Sequence, residues 1–220
     1  FASARRFLAN APRDIDSIML IISKTYLWLS WAIAVFIVGI IVLMVLRLIV
    51  DALDLNPFGW MSRTMHRLTD GLIIPVRGGL RNVGMDPKFA PLVVILIVIL
   101  LGFFLLRLVG AIAATIGGVL ISVRDGAMIS VLGYILYGAI SIYILLIIIR
   151  IVFSWGRVSY RNRIMRFLFD VTEPLHGPLR RIIPPLGWID ISPIVAFIIL
   201  FLFQQAIAGT LIRGAPMQVF

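Results

Sequence analysis

Uninterrupted apolar runs alternate along this chain with stretches where arginines, prolines and acids recur among hydrophobic residues. Four runs are long enough to cross a bilayer as helices. Thr25 to Leu46, Ala127 to Ile149 and Ile194 to Ile212 carry no charge, and Pro91 to Val123 carries only Arg107. A span needs about 20 predominantly apolar residues at ~1.5 Å rise each. The run from Pro91 would measure roughly 50 Å as one straight helix, against a hydrocarbon thickness of ~30 Å. It is expected to tilt, to project, to bend at Gly117-Gly118, or to break into two short spans.

The connections between runs repeat each other. Leu46-Arg47, Asn56-Pro57-Phe58, Arg63 and the stretch from Leu68-Thr69-Asp70-Gly71-Leu72 to Pro75-Val76-Arg77 form the first copy. Ile149-Arg150, Arg166 and the stretch from Val171-Thr172-Glu173-Pro174-Leu175 to Pro178-Leu179-Arg180 form the second. Arg47/Arg150, Arg63/Arg166, Thr69/Thr172, Asp70/Glu173, Leu72/Leu175, Pro75/Pro178 and Arg77/Arg180 all share one offset of 103. So many coincident positions argue for internal duplication, hence for a repeat architecture. Each repeat reads as span, connection, span, so the two should run the same way through the membrane. The expected organisation is a basic amphipathic segment at 1–24, a first repeat at 25–123, a short link at 124–126 and a second repeat at 127–213.

The second connection predicts a helical hairpin in the headgroup zone. Arg163 to Phe169 reads as an interfacial helix with Arg163 and Arg166 on one side. Thr172 reads as the cap of a second short helix, with Glu173 and Pro174 in its first turn and Pro178 within it. Arg180 and Arg181 then lie near its C-terminal end, and Pro184-Pro185 stops it. Gly187-Trp188 is a turn, after which Asp190-Ile191-Ser192-Pro193 opens the last span with Ser192 as cap and Pro193 at the first helical position. The first connection carries a degraded form: Gly71 replaces a proline, and Gly78-Gly79 stands where arginine is expected. Its hairpin, with Thr69 and Pro75, should be less rigid.

Composition supports the membrane reading. The chain is 61% hydrophobic, against about 45–50% for soluble domains. Its formal net charge is +10. Arg63, Arg67, Arg77, Arg81 and Lys88 fall in the first connection, and Arg157, Arg161, Arg163, Arg166, Arg180 and Arg181 in the second. The opposite side holds fewer: Arg5, Arg6, Arg13, Lys24, Arg124 and Arg213. The positive-inside rule then places both connections on the cytoplasmic (or stromal) side and both termini across the membrane. No basic stripe with interleaved aromatics points to nucleic acid. Cysteine is absent, so disulfides and thiolate chemistry are excluded. The chain starts at Phe1 and its first residues lack the contiguous apolar region of a signal peptide, implying a processed, trimmed or incomplete N-terminus.

At these residues the chain resembles the YggT/YlmG (YGGT-repeat) family of bacterial and plastid membrane proteins. Arg150, Leu168, Thr172-Glu173-Pro174, Pro178-Leu179-Arg180-Arg181, Ile183-Pro184, Gly187 and Asp190-Ile191-Ser192-Pro193 carry the resemblance in the second repeat. Leu46-Arg47, Asn56-Pro57-Phe58, Leu68-Thr69, Pro75 and Arg77 carry it in the first. The resemblance implies an integral protein of a bacterial inner (cytoplasmic) or plastid-type membrane. It also implies roles in envelope organisation or cell division, in osmotic-stress tolerance, and in assembly of photosynthetic complexes, haem attachment included.

Candidate chemistry is sparse. No hydrolase, zinc-peptidase or phosphate-loop motif occurs. His66 and His176 are not equivalent in the repeats, because the offset sets His66 against Phe169, so a paired-histidine haem or metal site is not expected and no cofactor is expected. Gly110, Ala114 and Gly118 read as a small-residue face for helix packing. Arg107 is expected to snorkel or to pair with Asp125. Gln204 and Gln205, about 17 Å past Pro193 on a helix, should bond between helices rather than line a pore. Arg63, Arg77, Arg81, Arg163, Arg166, Arg180 and Arg181 are the candidate contacts to anionic lipid headgroups or to an acidic protein partner. Thr69, Pro75, Thr172, Glu173, Pro174, Pro178, Asp190, Ser192 and Pro193 are expected to shape the hairpins.

The fold expected is therefore an all-α membrane protein with four transmembrane helices in two parallel repeats, each with an interfacial helical hairpin. The expected function is non-enzymatic: an assembly factor, organiser or accessory subunit of a larger membrane complex, with protein partners in that complex. A small oligomeric channel or ion/osmotic-homeostasis protein is the first alternative, and homo-oligomerisation stays open. An enzyme or haem-handling protein that uses His66 or His176 is the second.

Overall fold

The computed structural model describes residues 2–52, 60–82, 84–155, 162–182 and 192–212. Among the described residues the regular structure is helical throughout: α1 (Ala2–Ala52), α2 (Trp60–Asn82), a single 3-10 turn at Pro87–Phe89, α3 (Ala90–Arg124), α4 (Met128–Trp155), α5 (Arg163–Ile182) and α6 (Ser192–Thr210). Four segments are long and apolar enough to cross a membrane: Ile15–Asp51, Pro87–Arg124, Met128–Phe153 and Ser192–Thr210. The described residues are thus all-α, with four helices fit to cross a membrane. Hydrocarbon offers no water to a backbone amide, so an apolar run of this length must satisfy its own hydrogen bonds as a helix.

One element runs further than expected, and another takes the single-helix form among those expected. α1 continues without a break from the polar lead-in through position 24 and on to Ala52. α3 continues through Arg107 and Gly117-Gly118 as one helix of 35 residues. Neither glycine breaks it. Gly118 is buried beneath the ring of Tyr134 on α4, so its missing side chain is a packing device. Arg107 does not reach Asp125, which follows the end of α3 after about 27 Å of helical rise; Asp125 is engaged by Arg124 Nε at 2.8 Å.

The sharp reversals are made by glycine. Gly126 has φ +70°, and bonds from Gly126 N–H to Val123 O (3.2 Å) and from Ala127 N–H to Ser122 O (2.8 Å) close the end of α3. Gly84, with φ +73°, closes α2 in the same way through Met85 N–H to Leu80 O (3.0 Å). Both show the paired bonds of a Schellman C-cap, whose left-handed residue glycine adopts without steric cost.

The chain divides into two compact units. One comprises Ile33–Phe104 and Leu146–Pro193. Its core joins Met44 of α1, Ile73 and Leu80 of α2, and Ala90 and Val94 of α3. The other comprises Phe1–Ala32, Leu105–Leu145 and Ile194–Phe220. There Tyr134 of α4 packs with Ile207 and Ile212. Gly110 lies under Tyr26 of α1, a Cβ there meeting the ring at 3.6 Å. The small-residue face of α3 thus receives aromatic side chains.

Candidate functional site

α5 corrects the expected hairpin. Its N-terminus is set by Asn162, whose side chain accepts from Ile164 N–H at 2.9 Å and whose carbonyl accepts from Arg166 N–H at 3.1 Å, the pattern of an N-cap. The helix then runs unbroken through the predicted turn to Ile182. Met165, Leu168, Thr172 and His176 form its buried face. Thr172 is therefore no cap. It lies mid-helix, its hydroxyl donating to Leu168 O at 2.6 Å. Pro174 and Pro178 lie inside the same helix. Each removes one amide donor, leaving the Asp170 and Pro174 carbonyls without their usual partner. Asp170, Pro174 and Pro178 are all exposed, so these carbonyls lie on the open side of the helix, where solvent or headgroup donors can reach them.

α5 is fastened to the end of α4. Arg150 is buried at the end of the third span and donates through Nη1 to the Thr172 hydroxyl and through Nη2 to Glu173 Oε2 at 2.9 Å. Its guanidinium carbon lies 4.4 Å from the centre of the Phe169 ring, within cation–π range. Arg180 Nη1 approaches the other oxygen of Glu173 at 3.7 Å. A buried charge is tolerated when it is paired and hydrogen-bonded, and here pairing ties α5 to α4.

The same lock occurs 103 positions earlier. Arg47 near the end of α1 is fully buried. It donates through Nη1 to the Thr69 hydroxyl and to Asp70 Oδ1 at 2.8 Å, and its Nε lies 3.7 Å from Asp51 Oδ2. Thr69 donates in turn to Met65 O at 2.6 Å. α2 is likewise one helix, with Pro75 inside it and exposed, so the first predicted hairpin is corrected for the same reason. The copies differ where the offset sets His66 against Phe169. His66 bridges two acids, Nε2 to Asp51 at 3.6 Å and Nδ1 to Asp70 at 3.9 Å, while Phe169 covers its arginine.

Arg47 and Arg150 are the residues that sequence reasoning left out of its candidate set. The signal was present: each ends a span, and each is followed 22 and 23 positions later by threonine and an acid. The remaining candidates fall in two groups. Arg63, Arg81, Arg163, Arg166, Arg180 and Arg181 are exposed on α2 and α5, and Arg77 is half-buried. Ser192 is buried at the start of α6, followed by Pro193; Asp190 and the Gly187-Trp188 turn lie outside the described residues, as does Asn56-Pro57-Phe58. His176 is buried, its Nδ1 3.0 Å from Thr172 O. No group of three histidines, cysteines or acids able to hold a metal occurs among the described residues.

On α6, Gln204 is buried and donates to Ser141 Oγ at 2.6 Å and Tyr137 O at 3.3 Å on α4, an interhelical bond. Its neighbour Gln205 is exposed.

The CCB3/YggT family model matches residues 129–211, which include Arg150, Thr172, Glu173 and both glutamines. The uncharacterized protein YggT of Escherichia coli is 38% identical over 72 residues, 32% of this chain. The match spans 38% of that relative's length. The uncharacterized protein ycf19 of Guillardia theta is 36% identical over 73 residues, covering 33% of this chain and 80% of the relative. No solved structure matches. With most of ycf19 covered at that identity, and the family pattern lying over the second lock and the last span, the chain belongs to the CCB3/YggT family.

Proposed function

We propose that this protein is a non-enzymatic organiser of the membrane, an assembly factor or accessory subunit that docks a larger membrane complex through the arginine faces of α2 and α5. One observation carries the reading. Each of these helices is fastened to the preceding span by a buried arginine, so its outward arginines form a fixed array rather than a mobile loop. On α5 the exposed set includes Arg163, Arg166 and Arg181. Fixed guanidinium groups suit bidentate recognition of carboxylates and phosphates. The partners expected are an acidic surface on a membrane protein and, around it, anionic headgroups. By the positive-inside rule both helices face the cytoplasmic or stromal side of a bacterial inner or plastid-type membrane. The channel alternative draws no support from Gln204, whose amide is engaged by Ser141 and Tyr137.

The test is affinity purification in mild detergent of the wild type and of a triple variant, Arg163→Ala, Arg166→Ala and Arg181→Ala. None of the three belongs to a lock. Loss of co-purifying proteins, with insertion and thermal stability unchanged, is the expected result. An unchanged set of co-purifying proteins refutes docking, and loss of insertion as well reduces the arginines to lipid anchors.

A further inference from the structure

The amide of Gln205 has no use within the described chain. It is exposed on α6 about 20 Å from Ser192 and about 8 Å from Thr210 along the axis, which sets it inside a hydrocarbon layer of ~30 Å. Its side chain is too short to reach the headgroups from there. A carboxamide facing lipid leaves two donors and an acceptor unsatisfied in a medium that supplies neither. The neighbouring Gln204 shows the ordinary solution, a bond to another helix.

Gln205 sits in a stripe. Ile194, Ile198, Phe201, Leu202 and Gly209 are also exposed, and their spacings of three and four residues put them on one face of α6. Nothing lies within 4 Å of a Cβ built on Gly209, so the backbone is open to close approach, as at helix–helix contacts in bilayers.

We propose that this face of α6 pairs with α6 of a second copy about a two-fold axis along the membrane normal, the Gln205 amides bonding to each other. A carboxamide is self-complementary, carrying donor and acceptor on one group. Two copies inserted with the same orientation hold Gln205 at the same depth automatically. An unrelated partner would need a polar group placed at that depth. The contact is isologous: the same stripe serves both sides and closes as a dimer.

The experiment uses the full chain in phosphatidylcholine–phosphatidylglycerol liposomes. Energy transfer between donor-tagged and acceptor-tagged copies is followed as the protein-to-lipid ratio is varied. Gln205→Leu should weaken dimerisation roughly threefold to thirtyfold, the factor carried by one or two interhelical amide bonds. Gln205→Asn should retain most of it, and Gln204→Leu, which alters the inward amide, should leave it intact. Because the chain has no cysteine, single substitutions give a second readout. Under oxidant Leu202→Cys should yield a disulfide-linked dimer, and Leu96→Cys, exposed on α3, should not. A wild type that stays monomeric, a Gln205→Leu variant that associates like wild type, or equal cross-linking at Leu96 and Leu202 would each overturn the proposal. Leucine makes α6 more apolar and so does not threaten insertion.

Discussion

Neutralising Glu173 should destabilise this protein more than neutralising Asp70, although the arginine facing Asp70 is the more deeply buried. Arg150 keeps 7% of its side-chain surface and Glu173 keeps 34%. Removing one partner of a buried pair typically costs about 3–5 kcal/mol, because the other charge is stranded. Glu173 is partly open to water, which recovers some of that cost, so about 2–3 kcal/mol is expected for Glu173→Gln. Among the described residues Arg150 then retains the Thr172 hydroxyl, the Phe169 face and a neutral amide oxygen in place of the carboxylate. Arg47 has a second acid within reach, although its Nε and Nη2 make no hydrogen bond among the described residues. With Asp70 neutralised, Asp51 remains 3.7 Å from its Nε, close enough to close the gap with a small rotamer change. Asp70→Asn should therefore cost about 1–2 kcal/mol.

The assay is titration with sodium dodecyl sulfate in mixed micelles, read by helical circular dichroism. A double-mutant cycle of Arg150→Met and Glu173→Gln completes it. The double variant buries no charge in the lock, so it should lie about 1–3 kcal/mol above the sum of the singles. Strict additivity, or a cost for Asp70→Asn equal to or above that of Glu173→Gln, would refute the view that these arginines are held by their acids.

Other parts of the fold give separate tests. Gln204→Leu should cost about 0.6–2 kcal/mol in the same titration by removing the bond to Ser141, and Ser141→Ala should add little on that background. Gly118→Ala should cost about 1–3 kcal/mol, since a new Cβ would overlap the ring of Tyr134, itself 3% exposed and unable to swing away. Gly102→Ala should cost less, because the side chain it meets is the flexible tip of Ile37.

The spans were legible because an apolar run of that length has one solution in a bilayer, and backbone self-sufficiency dictates it. The length of α3 was legible too, but not its continuity. Gly117-Gly118 reads as a breaker locally, and only the Tyr134 ring on another helix shows why glycine stands there. The hairpins were misread for a similar reason. Thr172, Glu173 and Pro174 in succession have the local chemistry of a helix start, and nothing within five residues contradicts it. What overrides it is Arg150, which takes both the hydroxyl and the carboxylate that a cap would have used. Thr69 and Asp70 repeat the case, without the proline.

The two locks also show why an amphipathic helix here can carry two internal prolines. An isolated interfacial helix is held mainly by its apolar face, which leaves it free to slide and roll in the headgroup layer. A guanidinium bound to a threonine on the buried face and to the next residue fixes both rotation and register, because the two contacts lie about 100° apart around the helix. Proline's missing bonds then fall on the outer face, open to solvent or headgroup donors, and the inner face is secured from the span. It follows that Arg163, Arg166 and Arg181 inherit their positions from Arg150. A chain that kept the three outer arginines but lacked the lock would keep its charge and lose its pattern, and it is pattern that distinguishes recognition of one acidic surface from attraction to any anionic membrane.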